Sequence, residues 1–194
     1  VAQHDGPGDG FLALPDLDGD GVGEFVGGAP EASFSDEAQR VGRIVLYSGR
    51  TGASLWVRWG THYYGGLGFS MLLSGDHNGD GVPDLLCTEF LPSEEERPVL
   101  EVDAVIRVIS GRTGELIQTY TAPGPFYFLF GQAMVSLGDW DGNGFPEIGV
   151  SAPSFRDGPV FGEDLPSGSD IGRYRGWVGV FKLPEFEVVY STVG

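Results

Sequence analysis

Residues 16 to 24 read DLDGDGVGE, and four of the nine are carboxylates: Asp16, Asp18, Asp20 and Glu24. Two like unit charges about 4 Å apart repel by roughly 4 kcal/mol at an effective dielectric near 20. So compact a loop is costly unless something positive sits inside it, and no lysine or arginine lies close by in the sequence. The stretch therefore predicts a bound cation.

The loop recurs as DHNGDGVPD, Asp76 to Asp84, and as DWDGNGFPE, Asp139 to Glu147, with 60 and 63 residues between successive first aspartates. Each copy puts an oxygen side chain at positions 1, 3 and 5, glycine at 4 and 6, and an acid at 9. The only two asparagines of the chain, Asn78 and Asn143, both fall on these oxygen positions. Calcium takes six to eight hard oxygen ligands at about 2.3–2.6 Å, and glycine permits the tight backbone that gathers them from one loop. The expected ligands are Asp16, Asp18, Asp20 and Glu24 for a first ion, Asp76, Asn78, Asp80 and Asp84 for a second, and Asp139, Asp141, Asn143 and Glu147 for a third. The carbonyls of Val22, Val82 and Phe145, residue 7 of each loop, complete the sets. An EF-hand is excluded because it needs a bidentate Glu at position 12, where Gly27, Cys87 and Val150 stand. Magnesium fits less well, since it resists giving up its waters to a cage drawn from one loop.

More than the loop repeats. Upstream, GLGFSMLLSGD matches FLFGQAMVSLGD, with Gly68 and Gly131 each eight residues before the first ligand. Downstream come FVGGAP, LLCTEF and GVSAP; then RIVLYSGRTGASLW matches VIRVISGRTGELIQ, and WVGVFKLPEFEVVY is a diverged third copy. Each unit reads as four short strands, one before the metal loop, one after it, and two more joined by a tight turn such as SGRTG. The 33 glycines and 13 prolines among 194 residues fit many short elements joined by turns, and the fold class is all-β. Cys87, the single cysteine, lies in the apolar run DLLCTEF and reads as a small buried hydrophobe.

These motifs resemble the FG-GAP repeats of integrin-α-type β-propellers. Phe130-Gly131, Gly28-Ala29-Pro30, Ser151-Ala152-Pro153 and the three calcium loops carry the resemblance, which covers nearly the whole chain. Three departures are local: Pro7-Gly8 replaces the Phe-Gly pair of the first unit, CTEF replaces GAP in the second, and the third lacks SGRTG. The resemblance implies three four-stranded antiparallel blades, at residues 1–60, 61–122 and 123–194, and adhesion or recognition by the face away from the metals. Three blades make an incomplete ring, because closed propellers typically have four to eight. The open ends are expected to be covered by further blades of a longer chain or by copies associating head to tail.

Composition narrows the function further. A formal net charge of −17, with ten arginines and the single Lys182 scattered along the chain, makes nucleic acid and anionic lipid poor partners. No apolar run is long enough to span a membrane, and no cationic start followed by an apolar stretch precedes Val1, so a secretion signal already removed or a start inside a longer chain is expected. There is no Asn-X-Ser/Thr glycosylation site.

A protein or glycan ligand is expected on the face opposite the calcium loops. That face carries the connectors between strands 2 and 3 (residues 30–42, 88–103 and 153–176) and those between blades, with Trp59, Tyr63, Tyr64, Phe126 and Tyr127. Glu94, Glu95 and Glu96 read as a solvated loop tip. Arg156, Arg173 and Arg175 are candidates to meet acidic loops of a neighbouring copy. The preferred function is a secreted or cell-surface, calcium-binding, non-catalytic module for adhesion, recognition or self-assembly. The alternatives are a structural subunit of an extracellular filament or ring, and a calcium-dependent polysaccharide-active enzyme using His62 beside Tyr63 and Tyr64, the one cluster with acid/base potential. His4 and His77 read as incidental.

Overall fold

The computed structural model describes residues 10–35, 39–91, 103–124, 127–155 and 175–194. His4, Pro7-Gly8, Glu94 to Glu96, Phe126, Arg156 and Arg173 lie outside them, as do large parts of the connectors at 88–103 and 153–176. Thirteen strands are described: β1 (Phe11–Ala13), β2 (Phe25–Ala29), β3 (Arg43–Tyr47), β4 (Ser54–Trp59), β5 (Met71–Leu73), β6 (Leu85–Leu91), β7 (Asp103–Ile109), β8 (Leu116–Thr121), β9 (Tyr127–Phe128), β10 (Met134–Gly138), β11 (Glu147–Phe155), β12 (Arg175–Lys182) and β13 (Glu187–Val193). They form three antiparallel meanders, β1-β2-β3-β4, β5-β6-β7-β8 and β10-β11-β12-β13, the last with β9 added to β11. This is the up-and-down order of a propeller blade.

Strand alternation lets each inner blade face be shared with a neighbour. On β6, Leu85 and Cys87 belong to a core with Val26, Ile44 and Leu46 of the first blade. Leu86, between them, belongs to a second core with Ile148, Val150, Trp177 and Phe181 of the third. So the first half of β6 is apolar on both faces, and Cys87 is fully buried, as its place in an apolar run predicts. Its thiol pKa is pushed up by that burial.

Close approach between blades falls on the glycines of the repeat. Gly68 and Gly131 both have positive φ, 94° and 77°. A Cβ on Gly131 would stand 2.9 Å from Thr88 Oγ1 and 3.0 Å from Ile106; one on Gly68 would stand 3.0 Å from Ile44. Thr88 Oγ1 also donates to the Gly131 carbonyl at 2.5 Å. These two glycines thus seat each blade on the one before it.

Candidate metal centre

The three acidic loops join β1 to β2, β5 to β6 and β10 to β11, and they fold alike because the same residue types make the same local bonds. The carboxylate at position 1 accepts three backbone N–H groups: Asp16 from Gly19 (2.7 Å), Asp20 (3.2 Å) and Gly21 (2.8 Å). Asp76 accepts from Gly79, Asp80 and Gly81, and Asp139 from Gly142, Asn143 and Gly144. Position 3 accepts from the N–H of position 5, and position 5 from that of position 7, in every copy. This winding needs left-handed backbone at positions 4 and 6, and all six residues there are glycines with φ between 75° and 92°. The amides hold the Asp16 and Asp76 carboxyls below the usual range, chiefly through Gly21 and Gly81.

The acid at position 9 closes each loop from β2, β6 or β11. Glu24, Asp84 and Glu147 are 2%, 0% and 3% exposed, and one oxygen of each accepts the N–H of residue 2, from Leu17 (2.5 Å), His77 (2.7 Å) and Trp140 (2.7 Å). Among the described residues Glu24 Oε1 is buried without a hydrogen-bond partner. Oxygens of Asp16, Asp18 and Glu24 lie within 4.8 Å of one another. A buried carboxylate oxygen left bare is costly, so this donor set fits a hard divalent cation.

The second and third loops differ in detail. Asp84 spends its other oxygen on the Gly111 N–H, and burial pushes its carboxyl pKa up. Asn78 replaces a carboxylate at position 3, and in the third loop Asp141 turns to Lys182 Nζ at 2.6 Å. Among the described residues no second trio of carboxylates gathers as closely as the first.

The loops are not without cations of their own, which corrects the reading from local sequence. The SGRTG turns lie at the same end of the sheets as the acidic loops. Arg50 reaches Asp20 Oδ2 at 3.2 Å, and Arg112 reaches Asp80 Oδ1 at 3.7 Å and the Asp80 carbonyl at 3.3 Å. In the third blade, where that turn is missing, Lys182 takes the place and lowers the Asp141 pKa. The β3–β4 and β7–β8 hairpins bring these guanidiniums back over 30 and 32 residues. A single cation still faces at least three carboxylates in every loop.

The connectors gather at the opposite end. Tyr64 N–H donates to the Gln39 carbonyl, and Phe90 N–H to that of Gly65. Tyr63 and Tyr64 are exposed and meet edge to face at 4.4 Å; Arg40 lies over the Tyr64 ring and Phe34 packs on Trp59. Tyr127, by contrast, packs on Phe155 and Trp177, so it serves the core.

His62 Nδ1 lies 3.2 Å from Glu89 Oε1, and Arg107 Nε is 2.7 Å from Oε2. Burial opposes the charge on Glu89, but the Thr61 N–H, Arg107 and His62 outweigh it and hold the carboxyl below its usual value. Glu89 stands in CTEF at the register of Ala29 and Ala152, so the departure from GAP installs a buried ion pair. His77 sits between Ser74, Tyr120 and Phe145, a packing role.

No family model matches the chain. It is similar to integrin alpha-V of Gallus gallus, 29% identical over 144 residues covering 73% of the chain and 13% of that protein. Integrin alpha-PS2 of Drosophila melanogaster is 30% identical over 161 residues, 74% of the chain and 11% of that protein. Human integrin alpha-7 is 31% identical over 160 residues, 76% and 12%. The chain therefore spans only a small part of the length of these relatives. The repeated motifs, the three antiparallel meanders and this similarity together identify the chain as a set of FG-GAP, integrin-α-type β-propeller blades.

Proposed function

We propose that the chain is an extracellular or cell-surface, calcium-binding propeller module for adhesion or recognition, without chemistry of its own. The observation that carries the reading is the buried Glu24 carboxylate, whose Oε1 lacks a partner beside Asp16 and Asp18. Asp16, Asp18, Asp20, Val22 and Glu24 would hold one ion; the sets beginning at Asp76 and Asp139 would hold the second and third. A bound ion neutralises the crowded acids and staples β1 to β2, β5 to β6 and β10 to β11. At the millimolar calcium found outside cells even weak sites fill. Calorimetric titration is expected to give three ions per chain, falling to two in Glu24→Gln, Asp84→Asn or Glu147→Gln. No calcium heat, and no fall in melting temperature with chelator, would overturn the reading.

The ligand, a protein or glycan, is placed on the connector face, where Tyr63, Tyr64 and Phe34 offer exposed rings. The integrin relatives favour adhesion or recognition, and the apolar side chains exposed on the first and third blades among the described residues favour further blades or further copies. Among the described residues no helix is long and apolar enough to cross a membrane. The His62–Glu89 pair keeps the polysaccharide-active alternative testable: the module reading expects no polysaccharide cleavage, and cleavage that His62→Ala abolishes would replace it.

A further inference from the structure

Between the first and second blades lies a cavity of about 60 Å³, and two arginines and one acid line it: Arg58 of β4, Arg107 of β7 and Glu89 of β6. Leu67, Ile109 and Leu116 give it an apolar wall. One water needs roughly 10–15 Å³ measured this way, so the space admits a small ligand group. Register explains why Arg58 faces it. Arg58 pairs with Ile44 and Ile44 with Gly28, just as Tyr120 of β8 pairs with Ile106 and Ile106 with Thr88. Arg58 therefore shares with Trp56 the face of β4 that meets the second blade, where Trp56 Nε1 donates to the Gly111 carbonyl at 3.2 Å.

The charges around this cavity do not balance. Arg107 gives Nε to Glu89 at 2.7 Å and Nη1 to the Thr119 hydroxyl at 2.9 Å, and among the described residues nothing engages its Nη2. Arg58 is half-buried, yet among the described residues no hydrogen bond, ion pair or ring contact holds its guanidinium, although acids outnumber basic residues 28 to 11 in the chain. At the second junction the same register ends on a satisfied group, because the Tyr120 hydroxyl donates to the Pro184 carbonyl at 2.6 Å. An arginine drawn partly out of water without a partner is costly. Two guanidiniums against one carboxylate leave a single positive charge, and the apolar wall strengthens its pull on an anion.

We propose that this cavity is a carboxylate-binding site. Arg58 presents its planar fork to the two carboxylate oxygens, the geometry that makes arginine the usual partner of that group, and Arg107 Nη2 adds a further donor. The single excess charge matches a monoanion. A sulfate or phosphate dianion would set its second charge against Glu89, which is 2% exposed and already paired, so like charges would meet in a poorly solvated space. A free carboxylic acid and the acidic side chain of a protein both offer the required group. The site goes beyond the function proposed above and uses none of the calcium ligands.

The arginine Nε–H resonances of the isotope-labelled full chain, in saturating calcium chloride, report on the site during titration with sodium acetate, with sodium chloride at matched ionic strength as the reference. The Arg58 and Arg107 signals should shift saturably with acetate and not with chloride. Arg58→Gln, with an unchanged circular dichroism spectrum, should bind acetate at least about tenfold more weakly as read at Arg107, the loss of a charge-assisted pair. Capped Gly-Glu-Gly and Gly-Gln-Gly peptides separate the two sources: binding of the Glu peptide as tight as that of acetate, and none of the Gln peptide, assigns a protein side chain, whereas acetate binding alone assigns a free acid. Shifts that grow alike with acetate and chloride, sulfate binding tighter than acetate, or an acetate affinity unchanged in Arg58→Gln overturns the inference. The wild-type titration decides the matter even if the variant fails to fold, and calcium titration of the same samples reports separately on the metal sites.

Discussion

Glu89→Ala removes the carboxylate on β6 that ties the connector after β4, at Thr61 and His62, to Arg107 of β7. Glu89 is 2% exposed. Its Oε1 accepts the Thr61 and His62 N–H groups and the Thr61 hydroxyl, at 2.6, 3.2 and 3.0 Å, while Oε2 takes Arg107 Nε at 2.7 Å. Removing one partner of a buried pair costs about 3–5 kcal/mol, because the other charge is left unpaired. Arg107 keeps 17% of its side chain exposed, so the lower end, about 3 kcal/mol, applies. For a domain of this size each kcal/mol is worth about 2–4 °C, giving a fall of about 6–12 °C in calcium-saturated calorimetry. The double variant Glu89→Ala/Arg107→Val carries the residues that the first blade holds at these registers, Ala29 and Val45. Replacing a buried pair by apolar groups is close to neutral, so the double variant should return to within about 1 kcal/mol of the wild type. A single variant that melts like the wild type, or a double variant no better than the single, would refute the reasoning.

The same pair gives a pH dependence. Because the folded-state pKa of Glu89 lies below 4.5, its contribution is complete above about pH 4.5 and is lost as the pH falls through the folded-state value. The stability gap between wild type and Glu89→Ala, measured by urea unfolding, should narrow below that pH and hold steady above it. Arg50→Ala removes the cation 3.2 Å from Asp20, so the metal-free protein should melt lower while the first site gains calcium affinity about 2–5-fold, as for an exposed pair; unchanged calorimetric affinity would show that Arg50 and calcium do not compete. Gly131→Ala adds a Cβ 2.9 Å from Thr88 Oγ1 at a φ of 77° and should cost about 1–3 kcal/mol. Gly52→Ala, with the same sign of φ but open space, should cost less in the isolated chain, and denaturant midpoints compare the two.

Most of the fold and the geometry of each acidic loop could be read from the residues in order. The bonds that shape a loop run over two to seven residues, from Asp20 N–H to Asp18 or from Leu17 N–H to Glu24, and glycine at positions 4 and 6 is required wherever that winding occurs. The apolar run DLLCTEF likewise marked Cys87 as a small buried hydrophobe, and it is fully buried. Arg50 and Arg112 escaped because SGRTG is explained by its turn alone, and only strand pairing brings those side chains back to Asp20 and Asp80. The substitution of Glu for Ala in CTEF was visible as a departure. Its partner Arg107 lies 18 residues on, and nothing in the local pattern marks it.

The sequence by itself determined three like units, their strands and the oxygen-rich loops, because each follows from backbone preferences and side-chain alternation over a few residues. Only the tertiary structure decided that Glu24 keeps a bare buried oxygen, that Glu89 ties the connector after β4 to Arg107, and that Trp140, Tyr190, Phe11 and Val57 are exposed among the described residues. Those properties depend on which sheet face meets another across space, and chain order alone does not specify how one twisted sheet stacks on the next.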